Sequence, residues 1–138
     1  MAERASEDSS RRARVLVVDD DADARLLLHT FLSLLGFQVQ TAESGREAVT
    51  RAEQFTPDIV FLDVWMPDMD GVETCLRLRE GPCPHPVPIF AVTADVWRTD
   101  ELQQCFDRVL LKPVDLDRLA ELVTQRAAAL RKNIRHLH

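Results

Sequence analysis

Short apolar runs alternate along the chain with stretches whose apolar residues recur at helical spacing. Four continuous apolar runs are typical of strands buried on both faces of a parallel sheet. They span residues 15–18, 59–62, 89–92 and 109–111, with a weaker alternating strand at 37–41. After the first run, apolar side chains recur at Ala24, Leu27, Leu28, Phe31, Leu32 and Leu35. This spacing predicts an amphipathic helix that ends at Gly36.

Capping residues mark where further helices begin. Ser44 and Glu47 form a capping box, Ser-x-x-Glu, which predicts the start of a second helix. Asp70 and Asp115 precede the third and the last predicted helix in the same way. Residues 99–106 predict a short, polar fourth helix with few apolar side chains to hold it.

Five strands that alternate with five helices predict an α/β fold, a doubly wound parallel sheet with right-handed crossovers and helices on both faces. The length of 138 residues suits one domain. We expect a disordered N-terminal arm over residues 1–13, the domain itself over 14–131, and a basic C-terminal tail over 132–138.

Charge is distributed unevenly along the chain. The formal net charge is −6, but residues 15–125 carry −11 and residues 126–138 carry +4. An acidic body repels nucleic acid phosphates, so we expect no direct nucleic acid binding. The sequence has neither an apolar run long enough to span a bilayer nor a secretory signal at its N-terminus. We therefore expect a cytoplasmic protein without a membrane partner.

Polar residues follow four of the apolar runs. Asp19 and Asp20 come after the first strand, Asp63 after the third, Thr93 after the fourth and Lys112 after the fifth. The carboxyl ends of parallel strands meet at one edge, where such sheets bind their ligands. Each residue alone could be an ordinary cap or turn residue. Together, however, carboxylates placed side by side repel each other unless a cation lies between them.

The chemistry open to this set is narrow. Carboxylate oxygens with spare negative charge bind Mg²⁺. A carboxylate can also act as a nucleophile in phosphoryl transfer, while a lysine and a hydroxyl stabilise the phosphoryl oxygens. The pattern therefore predicts a phosphoryl-accepting site.

Four segments resemble those of a response-regulator receiver domain, the acceptor module of bacterial two-component signalling. They read VLVVDDD, FLDVWMPDMDG, IFAVTA and LLKPVD, and the resemblance covers about residues 14–130. It implies a flavodoxin-like (βα)5 fold with strand order 2-1-3-4-5, here with a shortened or irregular fourth helix. It also implies a signalling phosphoacceptor that catalyses only its own slow phosphorylation and dephosphorylation.

The resemblance also assigns roles to single residues. Asp63 matches the phosphoacceptor, Asp19 and Asp20 match the acidic pair that holds Mg²⁺, and the backbone carbonyl of Trp65 matches a further metal ligand. Asp63 is itself counted among the metal ligands. The implied partners are a histidine kinase or a histidine phosphotransfer protein, and an unknown downstream protein.

Residues beyond the metal site have counterparts as well. Thr93 matches the hydroxyl that binds the phosphoryl group, and Lys112 matches the lysine that pairs with that group. In such domains the peptide bond between this lysine and the following proline, here Pro113, is usually cis. Pro67 and Gly71 match the turn that leads into the third helix.

Three features depart from the family pattern. Val109 stands where an aromatic switch residue is usual, and Trp65 is bulkier than the residue usually found beside the phosphoryl pocket. Thr93 and Lys112 are 19 positions apart, fewer than usual by about one helical turn. Val109 and the short spacing between Thr93 and Lys112 put the usual signal output in question, but all groups needed for phosphorylation are present.

Four hypotheses follow. The chain is a stand-alone receiver that acts through protein contacts, or it is a phosphorelay intermediate or a fragment of a hybrid histidine kinase. A third hypothesis is an adaptor that never uses its phosphate. The fourth is a phosphatase of the haloacid-dehalogenase type, which needs a second Asp two positions after the nucleophile, where this chain has Trp65.

Overall fold

A computed structural model describes residues 12–65, 70–81, 86–94 and 99–136, with the backbone alone described for 99–101 and 133–136. Five strands and five helices alternate along it. The strands are β1 (Arg14–Val18), β2 (Gln38–Ala42), β3 (Ile59–Asp63), β4 (Ile89–Thr93) and β5 (Arg108–Leu111). The helices are α1 (Ala22–Leu34), α2 (Gly45–Phe55), α3 (Gly71–Glu80), α4 (Thr99–Cys105) and α5 (Leu116–His136).

The strands form one parallel sheet in the order β2-β1-β3-β4-β5, which confirms the predicted fold. Val18 at the end of β1 pairs with Leu62, one residue before the end of β3. Asp63 then pairs with Val92, and Thr93 pairs with Leu111. The strand ends that carry the predicted site residues are therefore in register at one edge of the sheet.

Both faces of the sheet are covered by helices, because alternate residues of the central strands point to opposite sides. Leu16 and Val18 of β1 pack with α2, α3 and α4, whereas Val15 and Val17 pack with α1 and α5. The unbroken apolar runs of β1, β3 and β4 follow directly from this two-sided burial.

The buried face of α1 is narrower than its apolar pattern. Leu28 and Leu32 are buried, but Leu27 is 55% exposed and Leu35 is 49% exposed. The apolar spacing therefore overestimates the buried face of α1: Leu28 and Leu32, four residues apart, are buried, and Phe31 packs half-buried against the same core. Gly36 ends the helix as predicted, with φ at +97°.

The two last helices each differ from what the sequence predicts, α4 in how it is anchored and α5 in its length. α4 is short, as predicted, and ends one residue earlier than expected, but Leu102 and the following Phe106 are buried and anchor it to the core. α5 continues to His136 and so includes most of the residues assigned to a basic tail. No Gly or Pro occurs after Pro113, so nothing local stops the helix. None of the helices in the described ranges has a segment suited to crossing a lipid bilayer.

Candidate functional site

The carboxyl edge of the sheet brings the strand-end residues together. Asp63 is the last residue of β3 and Thr93 the last of β4, while Asp19 and Lys112 directly follow β1 and β5. Asp19 and Asp63 are each only 4% exposed, and Thr93 is fully buried. Burial of two carboxylates is costly unless partners compensate for it, so their surroundings determine what the site can do.

Three carboxylates form a cluster at this edge. Asp19, Asp20 and Asp63 each place one oxygen so that the three oxygens lie within 4.8 Å of one another. Asp20 is exposed, so the cluster is open on one side. Hard oxygen donors at this spacing fit a Mg²⁺ ion, which retains several of its waters and binds one or two carboxylates.

Lys112 provides the positive charge that faces the cluster. Its Nζ lies 3.4 Å from Oδ2 of Asp63 and 3.5 Å from Oδ2 of Asp19. The peptide bond between Lys112 and Pro113 is cis, as predicted, and the Lys112 N–H donates to the Thr93 carbonyl at 2.9 Å. β5 and β4 therefore position the ammonium group beside Asp63.

Burial and neighbouring charges shift the pKa values of Asp63 and Lys112. Burial, and next the negative charge of Asp19, raise the pKa of Asp63 to about 6, although Lys112 opposes this shift. Burial alone would lower the pKa of Lys112, but the carboxylates of Asp63 and Asp19 raise it above its ordinary value. One lysine does not balance three acids, which again favours a bound cation.

Asp19 is held from several sides. Its N–H donates to the Ala42 carbonyl at 3.1 Å, and its Oδ1 accepts from the Asp21 N–H at 2.9 Å. Its carbonyl accepts from Nη1 of Arg25 at 2.7 Å. No sequence pattern assigned a role to Arg25. The only local signal was a cation near the start of a helix, where the helix dipole disfavours it.

The segment after Asp63 approaches α3 closely. The Trp65 N–H donates to Oδ1 of Asp63 at 3.2 Å, and the Trp65 side chain is 57% exposed. The Gly71 N–H donates to the Val64 carbonyl at 3.3 Å, and a Cβ at Gly71 would lie 2.7 Å from the Val64 Cα. Glycine is thus required at the start of α3, while Pro67 lies outside the described residues.

Comparisons with known proteins agree with this geometry. Residues 15–124 match the family described as response regulator receiver domain. The chain is 39% identical over 130 residues to regulatory protein AtoC of Escherichia coli (strain K12), covering 91% of this chain and 28% of AtoC. It is 41% identical over 120 residues to transcriptional regulatory protein PrrA of Mycobacterium leprae, covering 86% of this chain and 50% of PrrA. It thus spans half or less of the length of these two relatives.

Another relative is of similar length, and solved structures share the fold. An uncharacterized 14.6 kDa protein of Leptolyngbya boryana is 40% identical over 114 residues, covering 80% of this chain and 87% of the relative. The chemotaxis protein CheY4 of Vibrio cholerae superposes with a TM-score of 0.74 at 29% identity, covering 83% of this chain and 98% of that structure. The chain therefore belongs to the receiver domains of two-component response regulators, a signalling family rather than a family of enzymes.

Proposed function

We propose that this receiver domain accepts a phosphoryl group on Asp63 and transmits the signal through protein–protein contacts. The observation that carries the proposal is a buried carboxylate, Asp63, that lies beside two further acids and 3.4 Å from the ammonium group of Lys112. This arrangement combines a nucleophile, a place for a divalent cation and a cation for the phosphoryl oxygens.

Each residue has a defined part in the transfer. An oxygen of Asp63 attacks the phosphorus and forms an O–P bond, while the bond between phosphorus and the donor's histidine nitrogen breaks and leaves its electron pair on nitrogen. Lys112 pairs with a phosphoryl oxygen, and the Thr93 hydroxyl donates a hydrogen bond to another. Asp63 must be ionised to attack, and its pKa of about 6 leaves it mostly ionised at neutral pH.

Receiver domains generally bind Mg²⁺ at an acidic site, and the acidic cluster here fits that ion. We assign Asp19, Asp20, Asp63 and the backbone carbonyl of Trp65 as its protein ligands. When bound, the ion neutralises the negative charge that the carboxylates and the phosphoryl group bring together.

The proposed phosphoryl donor is a histidine kinase or a histidine phosphotransfer protein, and the proposed output is contact with a downstream protein in the cytoplasm. We propose slow self-catalysed phosphorylation and dephosphorylation and no direct contact with nucleic acid or membrane. The net charge of −11 over residues 15–125 supports the lack of nucleic acid contact.

The second candidate function is a receiver that is one part of a hybrid kinase or phosphorelay protein. The relatives AtoC and PrrA, of which this chain spans only 28% and 50%, support only the part of this candidate that places the receiver in a longer protein, because both are regulatory proteins. The Leptolyngbya relative, of which it spans 87%, favours the stand-alone form instead. A phosphorylation-independent adaptor would not need a buried Asp63 that pairs with Lys112.

Phosphorylation by acetyl phosphate with Mg²⁺ tests the proposal. Intact-mass spectrometry should show the gain of one phosphoryl group in the wild type and in Asp115→Asn, but not in Asp63→Asn. Asp115 is a matched control, because it accepts from the Asp117 N–H at 3.0 Å and Asn caps helices equally well. No mass gain in the wild type with acetyl phosphate or a histidine phosphodonor, or a gain that persists in Asp63→Asn, would refute it.

A further inference from the structure

Arg25 is a mostly buried cation whose described contacts link β1, β2 and α1. Its side chain is 19% exposed, its Nη1 donates to the Asp19 carbonyl at 2.7 Å, and its Nη2 lies 3.7 Å from Oε2 of Glu43. A cation near the N-terminus of α1 opposes the helix dipole. The contacts with Asp19 and Glu43 at the strand ends, rather than an interaction with the helix dipole, therefore stabilise Arg25 in this position.

The carbonyl that Arg25 binds belongs to the peptide group between Asp19 and Asp20. A peptide group is planar, so holding its oxygen determines the direction in which the chain continues into Asp20. β1 ends at Val18, so this peptide lies beyond the strand. The Asp19 N–H is held by the Ala42 carbonyl at 3.1 Å, and Arg25 holds the other side of the residue.

The restraint matters because the carboxylates of the acidic cluster repel one another. Three carboxylate oxygens within 4.8 Å repel one another, and Asp20 is exposed. Without a restraint, the repulsion would turn Asp20 toward water and spread the cluster. Arg25 opposes that movement through the backbone, and its described contacts are to a carbonyl and to Glu43 rather than to the three carboxylates.

We infer that Arg25 is a positioning residue for the Mg²⁺ site, which holds the Asp19–Asp20 peptide so that both carboxylates face the ion. This inference rests on the proposed function, because it assumes that the cluster binds Mg²⁺. Groups that orient metal ligands commonly change metal affinity by about 10-fold to 100-fold when removed.

The sign of the effect separates this role from two others. If Arg25 acted only through its charge, its removal would make the site more negative and strengthen Mg²⁺ binding. If Arg25 only anchored α1, its removal would lower the melting temperature and leave the Mg²⁺ dissociation constant of the folded protein unchanged. Positioning alone predicts weaker binding in a folded protein.

The test is a Mg²⁺ titration of the metal-free full chain, followed by tryptophan fluorescence or calorimetry. Arg25→Met should raise the Mg²⁺ dissociation constant at least about 10-fold. Arg51→Met is the matched control, because Arg51 is an exposed arginine of α2 paired with Glu47 at 3.3 Å, and it should bind as the wild type does. Circular dichroism shows whether each variant is folded at the titration temperature.

Equal or tighter Mg²⁺ binding by folded Arg25→Met would overturn the inference. If that variant does not fold, Arg25→Gln removes the same charge and retains a polar end, and the same criterion applies to it. Failure of the wild type to bind Mg²⁺ would instead reject the proposed metal site, and the inference with it. The two failures are distinguished because one appears in the variant and the other in the wild type.

Discussion

At the scale of single residues, the protonation of Asp63 links the site to stability. Its pKa is about 6 in the folded protein, above the ordinary 3.8, because it is buried beside Asp19. The folded state thus binds more protons than the unfolded state between these values. The stabilisation that this group contributes is fully present below about pH 4 and is lost as pH rises through about 6.

We therefore expect the metal-free wild type to lose stability, relative to Asp63→Asn, as pH rises from about 4 to 7. The upper bound of the difference is about 3 kcal/mol, from a shift of two pKa units. Urea denaturation of both proteins at several pH values measures it. If the free energies of unfolding of the two proteins changed with pH in parallel, the pKa of Asp63 in the folded protein would not be raised above its ordinary value of 3.8.

Trp65 is a residue for which we expect a kinetic effect, on the lifetime of the phosphorylated state. Its backbone N–H donates to Asp63 and the residue is 57% exposed, so a bulky exposed indole follows Asp63 by only two residues. Hydrolysis of an aspartyl phosphate needs a water in line with the O–P bond, and a bulky neighbour excludes that water. Trp65→Asn should shorten the phosphoryl half-life several-fold. An unchanged or longer half-life, measured by loss of the phosphorylated mass, would show that the indole leaves this path open.

At the scale of elements, the contact between Val64 and the start of α3 leaves no room for a side chain at Gly71. A Cβ at Gly71 would meet the Val64 backbone at 2.7 Å, whereas one at Gly81 would lie 3.6 Å from the Arg77 carbonyl, an ordinary contact. We expect Gly71→Ala to lower the free energy of unfolding by about 1–3 kcal/mol and to slow phosphorylation, because backbone must shift next to Asp63. Gly81→Ala is the control and should stay within about 1 kcal/mol of the wild type. Equal free energies of unfolding for the two variants would mean that the Val64 backbone moves away from the methyl group added in Gly71→Ala without loss of stability.

The fifth strand and the fourth helix determine how activation reaches the surface. Val109 is half-buried against the cluster that contains Leu102 and Phe106, and a β-branched side chain this short cannot swing as an aromatic switch would. We expect beryllofluoride, a mimic of the phosphoryl group, to slow hydrogen exchange in residues 94–106, of which 95–98 lie outside the described residues, with little change in β5 and α5. Mass spectrometry of exchanged peptides tests this. Protection centred on β5 and α5 instead would contradict it.

At the scale of the whole molecule, residues 13 and 14 attach the start of β1 to β2 and to the segment that follows α2. Ala13 is buried and its carbonyl accepts from the Gln38 N–H at 3.1 Å, while the Arg14 N–H donates to Asp58 and its Nη1 to Thr56, both at 2.8 Å. Deletion of residues 1–11 should leave the melting temperature unchanged. Deletion of residues 1–14 should cost at least about 2 kcal/mol, because the half-buried Asp58 and Thr56 lose their donors and the Gln38 N–H loses its acceptor. A large loss on the shorter deletion would move the boundary toward the N-terminus.

Much of this fold and site could be predicted from sequence because local patterns record burial and backbone geometry. The runs before Asp19 and Asp63 are apolar since those strands are covered on both faces, and parallel strands bring their following residues to one edge. Ser44 and Asp70 cap the helices they were expected to cap, because capping needs only neighbours in the chain. Fold class and the grouping of the acidic residues at one edge therefore followed from local patterns, whereas the strand order came from the resemblance to receiver domains.

Other features depended on contacts between distant parts of the chain. Leu27 and Leu28 are equally apolar, and only the packing of α1 on the sheet buries the second and exposes the first. The partner of Arg25 is a backbone carbonyl, which every residue possesses, so no side-chain pattern could identify it. The pKa of Asp63 depends on burial and on Asp19, 44 positions away in sequence. The sequence by itself determined the elements and the chemical groups at the site, whereas the tertiary structure decided their burial, partners and charge, because these depend on distances that only three-dimensional packing defines.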